Sequence, residues 1–300
     1  MGANRFSGRK PRFERNAGLK QIIVNADDFG RHERINRAVE QGVRGGVLRS
    51  ATIMAGGAAF DDAAALALRC PQLGVGIHLT LVNGMPILPP AEIPSLVTRE
   101  GVFADDHTAF AVRLLRGAVN LSEVRAELAA QLRRVEAAGI HPTHADSHQH
   151  MHVLPGVIDI VLDLCREAHI PAIRAPHAPL FAGRFGGAGQ LIGRAGLSVL
   201  AHRAAAKAHR RGIRTPDHFA GIVAGEAVDT AALAAIAAHL TGGTTEVMLH
   251  PGTDNDVLVR DCRWDHDFAA ELAAVCAPAV QDAIAAAGAA PVNFRTYAEG

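Results

Sequence analysis

Aromatic side chains are scarce. One Trp, one Tyr and eleven Phe make up 4% of the 300 residues, so any core must be built from aliphatic and Ala side chains. No charge of one sign dominates either: 30 Lys and Arg balance 30 Asp and Glu. A general nucleic-acid binder, or a protein held on an anionic membrane surface, needs a basic excess that this chain lacks. No uncharged apolar run reaches the roughly 18 residues of a membrane span. The best stretch, 191–208, carries Arg194, His202, Arg203 and Lys207. Cysteine is sparse. Cys70, Cys165, Cys262 and Cys276 form no C-x-x-C pair and stand apart from the histidine clusters, which predicts isolated buried thiols in a reducing, cytoplasmic compartment. Residues 1–19 are basic but lack the apolar segment of a secretory signal, and read as a flexible tail ahead of one domain over 20–300. Neither G-x-G-x-x-G after the first strand nor G-x-x-x-x-G-K-[ST] is present, so a nucleotide-binding reading has no anchor.

What is present is repeated strand–helix alternation. Short β-branched or apolar runs at 21–25, 51–54, 73–79, 143–146, 172–174, 219–223, 246–249 and 292–295 read as strands. Between them, helical spacing marks 31–44, 58–69, 123–138 (with Ser122 as N-cap), a helix opened by Pro155, an Ala-rich helix ending near 211, 230–240 and 268–287. Pro278 should kink the last. Residues 82–108 hold four prolines without a clear period, the mark of a long functional connection. The alternation predicts a single-domain α/β fold, an irregular TIM-like (β/α) barrel, with an open doubly wound sheet as the alternative.

Histidine is abundant, at 16 residues, and several sit with other polar groups at the ends of expected strands. Asp27 and Asp28 follow the first, His78 ends the third, and Asp146, His148, His150 and His152 follow the fourth. Arg174 ends the fifth, Asp217 and His218 precede the sixth, and His250 ends the seventh. In a parallel barrel all carboxyl-terminal strand ends meet at one face. Adjacent carboxylates repel unless a positive group compensates; a metal ion would do so, with one Asp as ligand and the other as base. His148, His150 and His152 alternate and, if extended, share a face. Arg174 could pair with Asp27 or serve a structural ion pair. His141, His169, His177, His202, His209, His239 and His266 have no comparable context. Carboxylate and imidazole donors on separate strands describe a mononuclear hydrolase-like centre for one divalent ion, Zn²⁺ or Mg²⁺ foremost, with Mn²⁺ and Fe²⁺ also compatible.

The stretches 22–30 (IIVNADDFG), 76–81 (GIHLTL), 142–152 (PTHADSHQHMH) and 245–252 (TEVMLHPG) together resemble the YdjC-like family of carbohydrate deacetylases, the ChbG/HpnK group. The resemblance implies an irregular barrel, a homodimer and hydrolysis of the acetamide of an N-acetylated sugar. It also implies Asp28, His78 and His148 as metal ligands, Asp27 as base and His250 as general acid. Asp146, His150 and Arg174 would orient these groups or touch substrate. The histidine motif differs from that of the HpnK branch, which favours a chitooligosaccharide or N-acetylglucosamine conjugate over a hopanoid glycolipid. Residues 82–108 and 177–216 depart from the family pattern and would shape the sugar pocket. A barrel isomerase or lyase using Asp27 on a carbon-bound proton, and a non-catalytic sugar- or metal-binding protein, are the alternatives.

Overall fold

A computed structural model describes residues 18–177, 188–222 and 227–300. The expected tail, apart from Gly18 and Leu19, and much of the Gly-rich loop before the Ala-rich helix lie outside the described residues, as does residue 223 of the expected sixth strand.

Strand β1 (Lys20–Phe29) is the spine. Its Ile22, Ile23, Val24, Ala26 and Phe29 are all buried, as expected of a parallel strand covered on both faces. The described residues form seven parallel strands, the others being β2 (Ser50–Ile53), β3 (Gly74–Leu79), β4 (Ala145–Ser147), β5 (His218–Ala220), β6 (Gly243–Leu249) and β7 (Ala289–Pro291). The sheet order is β4-β3-β2-β1-β6-β5. One edge of β1 is shared: Lys20, Gln21 and Ile22 pair with β7, whereas Asn25 and Ala26 pair with β2. The other edge runs along β6. Parallel bridges from Ala145 to Ile173 and from Ala172 to Arg214 continue the pairing from β4 towards the segment that leads into β5. The sheet therefore curls into a TIM-like half-barrel, as the alternation predicts.

Helices α1 (Glu33–Gly45), α2 (Phe60–Arg69), α3 (His107–Leu115), α4 (Leu121–Ala137), α5 (Val157–Glu167), α6 (Ala188–Arg210), α7 (Thr230–Ala238), α8 (Asn255–Cys262), α9 (Phe268–Cys276), α10 (Pro278–Ala286) and α11 (Phe294–Glu299) complete the described chain. Helix α1 buries Ile35, Ala38, Val39, Gly42 and Val43, one stripe of its surface, with Glu33 in the first turn and Arg44 in the last complementing its dipole. Side chains of Asp106, Asn120, Asp229, Asp254, Asp267 and Asn293 cap six helices, each cap contributing about 1 kcal/mol. No single helix among the described residues is long and apolar enough to cross a membrane.

Several expected boundaries move. Asn120, not Ser122, caps α4 because its side chain reaches the Ser122 amide. Helices α3 and α8, which no periodic signal announced, each start at an Asp cap. The break at Pro278 is complete: α9 and α10 meet at 55°. The expected last strand over 292–295 is instead the start of α11, capped by Asn293, and the edge strand lies earlier, at β7. Cys70, Cys165 and Cys262 are buried and Cys276 partly so, all as free thiols.

The packing beneath the barrel mouth leaves no spare volume. A Cβ added at Gly76 would lie 2.5 Å from the His144 ring and 2.7 Å from the His144 carbonyl oxygen. Gly76→Ala should therefore cost about 2–3 kcal/mol and lower Tm by roughly 3–5 °C in a chain of this size. An unchanged Tm in calorimetry would show that β3 and His144 part freely.

Candidate functional site

The pairing of β1 with β2 skips a residue. Ala26 faces Ala51 and Phe29 faces Ile53, so three steps on β1 match two on β2. The extra residue is a β-bulge at Asp27–Asp28, and Asp28 adopts a left-handed φ of 60°. In a regular strand consecutive side chains point to opposite faces; the bulge lets both carboxylates reach the barrel mouth. Aspartate tolerates this backbone better than a β-branched residue.

Asp27 is fixed on all sides. Arg174 donates from Nη1 to Oδ2 at 2.5 Å and from Nη2 to Oδ1 at 2.6 Å. Asn25 Nδ2 donates to Oδ1 at 2.9 Å. Asn25 Oδ1 in turn faces His144 Nε2 at 3.2 Å, and the His144 ring stacks on Phe294 at 3.6 Å. Burial, joined by the charges of Arg174 and His78 and only partly opposed by Asp146, lowers the pKa of His144 to about 3.

Asp28 faces the other way. Its Oδ1 lies 3.0 Å from His148 Nδ1 and 3.3 Å from His78 Nε2, and its Oδ2 accepts from Arg31 Nη1 at 2.8 Å. Burial alone would raise this carboxyl's pKa, but His148 and Arg31 hold it well below the ordinary range. His78, on β3, places Nδ1 2.7 Å from Asp146 Oδ1 on the paired strand β4. Burial lowers its pKa, yet the charge and hydrogen bond of Asp146, then Asp28 and Asp27, push it up to about 10. The Nε2 atoms of His78 and His148 are buried without a hydrogen-bond partner. Asp28 Oδ1 with one ring nitrogen from each of His78 and His148 forms a donor set suited to a divalent cation, and the three residues lie close enough together to share one. A cation there would take over the role that a proton on His78 plays in this negative field.

Three expected residues meet differently. Residues 148–153 are not extended but form a tight 3₁₀ turn in which Gln149 and His150 adopt φ of 52° and 60°. The three alternating histidines therefore diverge. His148 reaches Asp28, and His152 Nδ1 faces Ser147 Oγ while its Nε2 faces the Arg174 carbonyl. His150 packs edge-on against Phe219, its Nδ1 without a partner, and bonds to neither Asp27 nor Asp28. Asp217 and His218 sit away from the mouth: Asp217 accepts from the Thr244 amide at the beginning of β6.

His250 follows β6 and is partly exposed. Its backbone amide donates to Glu271, and its ring meets Trp264 edge-on at 4.8 Å. Burial lowers its pKa, against the opposing charges of Asp27, Asp28 and Glu271. His266, with no context in the sequence, stacks on Trp264 and faces Glu271 beside His250.

Arg174 answers its two expected roles together. Wholly buried, it pairs with Asp27, with Asp146 at 2.8 Å and with Glu246 at 2.7 Å. Glu246, Asn25, Arg31 and Glu271 escaped the sequence reading. The available signal was a lone ionisable or amide residue inside an apolar strand, as in Thr245-Glu246-Val247. Burial, only partly offset by Arg174, raises the pKa of Glu246 to about 7.

Fold and site define an α/β barrel with a carboxylate–imidazole cluster at the carboxyl ends of its strands. Residues 21–286 match the family described as YdjC-like protein, and the chain belongs to that family. A carbohydrate deacetylase of Brevibacillus brevis is 42% identical over 158 residues, 52% of this chain, and the match spans only 59% of that relative's length. A chitooligosaccharide deacetylase of Salmonella paratyphi B is 31% identical over 278 residues, covering 91% of this chain and 97% of the relative. A crystal structure from Enterococcus faecalis, of a protein named for cellobiose-phosphate cleavage, superposes with a TM-score of 0.71 at 26% identity, over 93% of this chain and 99% of the other.

The neutral burial of His144 has a pH consequence. Its folded pKa of about 3 lies below the ordinary 6.5, so below pH 6.5 the unfolded chain takes up a proton that the folded chain refuses. The contribution is present above pH 6.5 and is lost progressively as pH falls towards 3. Between pH 6.5 and 4.5 wild type should lose about 2–3 kcal/mol more than His144→Gln, read from denaturant unfolding at the two pH values. Equal losses would mean that His144 is protonated in the folded state.

Proposed function

We propose that this chain is a metal-dependent carbohydrate deacetylase that removes acetyl groups from N-acetylated sugars, chitooligosaccharides or N-acetylglucosamine conjugates. The observation that carries this reading is the convergence of Asp28, His78 and His148, with two buried imidazole nitrogens unpartnered, next to a second carboxylate clamped by Arg174. The names of the relatives support the substrate class.

Asp28, His78 and His148 would hold one divalent ion, Zn²⁺ or Mg²⁺. When bound, such an ion supplies a Lewis-acidic centre that acidifies water and stabilises negative charge on an amide oxygen. Asp27 takes the proton of the attacking water. Its two-point contact with Arg174 keeps it oriented. His250 donates a proton to the leaving sugar amine; burial lowers its pKa, against which the charges of Asp27, Asp28 and Glu271 favour its imidazolium. Asp146 fixes the tautomer of His78 through Nδ1, leaving Nε2 free as a donor atom. His150 lines the same mouth beside Phe219 as a substrate contact. The four cysteines, none of them in a disulfide, fit a cytoplasmic location.

Acetate release from N-acetylglucosamine oligomers is the test. Metal-stripped protein should be inert and recover with one restored divalent ion. Asp27→Asn should keep the metal yet lose about 10²–10⁴-fold in kcat, and His148→Ala should bind the ion weakly. Full activity in Asp27→Asn would overturn the base assignment. Bound metal with no acetate from any N-acetylated sugar would move the weight to a barrel isomerase or lyase.

A further inference from the structure

Glu246 stands in the middle of β6, wholly buried. Its Oε1 accepts from Arg174 Nε at 2.7 Å, and its Oε2 has no partner. As a stabilising device this is poor. Burying an ion pair consumes much of its Coulombic gain, an apolar pair of equal volume often packs as stably, and an unsatisfied oxygen adds a further penalty. What the contact does supply is direction. A guanidinium is planar and carries donors on three nitrogens, so an acceptor fixed on Nε sets the plane and thereby the aim of Nη1 and Nη2. Both of those nitrogens meet Asp27. Phe219, 5.7 Å from the guanidinium carbon, packs on the same group.

We propose that Glu246 is a positioning residue for the deacetylation reaction: by holding Nε of Arg174 it aims both terminal nitrogens at Asp27 and so fixes the base. This inference rests on the function proposed above. Glu246 touches neither Asp27 nor the three residues assigned to the ion, so its effect belongs in turnover and not in binding.

The test is a double-mutant cycle on the metal-loaded enzyme, with kcat and KM from acetate release and metal affinity from calorimetry. Glu246→Ala should lower kcat about 10- to 100-fold, as misplacement of a reacting group does, with KM and metal affinity within about threefold. Glu246→Gln, whose amide oxygen still accepts from Nε, should restore kcat to within about threefold of wild type. Against Arg174→Lys, which has no Nε to hold, the added Ala change should cost less than about threefold. Should Glu246→Ala not fold, the near-isosteric Glu246→Met takes its place with the same expectation. Equal losses in the Gln and Ala variants, additive losses in the cycle, or a KM that rises and a metal affinity that falls as kcat drops would each overturn the proposal. Wild-type protein that releases no acetate would refute the deacetylase reading alone. Crystal structures of the variants then decide: Arg174 turned away from Asp27 in Glu246→Ala but not in Glu246→Gln upholds the positioning role, and an unmoved Arg174 in both refutes it.

Discussion

One buried cation organises this molecule. The Arg174 guanidinium, without solvent exposure, sits among Asp27 of β1, Asp146 of β4 and Glu246 of β6. Three carboxylates brought this close would repel one another and take up protons; the guanidinium lets them coexist. It does so unequally. Asp146, which also has His78 as a partner, is held well below the usual carboxylate range, while Glu246 rises to about 7. Strands β4 and β6 lie on opposite sides of β1 in the sheet order, so these contacts also tie the curled sheet across its own mouth. The same bond network runs outward: Asp146 holds His78, His78 faces Asp28, and Asp28 is shared with His148 and Arg31.

The second constraint is backbone. Without the bulge at Asp27–Asp28, adjacent residues of β1 would point to opposite faces, and one carboxylate would be lost to the helical layer. The left-handed turn at Gln149–His150 does the corresponding work after β4. It turns the chain sharply enough that His148 meets Asp28 while His152 is used for anchoring at Ser147 and the Arg174 carbonyl. Strained backbone at three residues of one site, Asp28, Gln149 and His150, has a cost that the surrounding packing must absorb. Packing is tight at Gly76, where an added Cβ would collide with His144.

Much of this was legible in the sequence, and the limits have physical causes. Strand–helix alternation announced the barrel because parallel strands covered on both faces must be apolar runs, as β1, β3 and β6 are. Polar residues at strand ends marked Asp27, Asp28, His78, His148 and His250 as candidates, and the fold brings Asp28, His78 and His148 together. Periodicity could not reveal the bulge, since an extra residue leaves no mark in composition, nor the left-handed turn at Gln149–His150 that separates the faces of His148, His150 and His152. Groups that act inside the barrel were hidden. Glu246 and Asn25 look like stray polar residues in apolar strands, and His266 and Glu271 acquire meaning only when a loop and a helix fold back against His250. The short strand β7 and helix α11 were misassigned because Asn293 caps a helix where the apolar pattern suggested a strand.

The central claim is that Asp28, His78 and His148 share one divalent ion. Crystals soaked in Zn²⁺ and measured across its absorption edge test this most directly. The account predicts a single strong anomalous peak in contact with the Asp28 carboxylate and both imidazoles, absent in His148→Ala. A peak seated instead among His250, His266 and Glu271, a separate carboxylate–imidazole group, would contradict it. So would a mouth that stays empty at saturating metal.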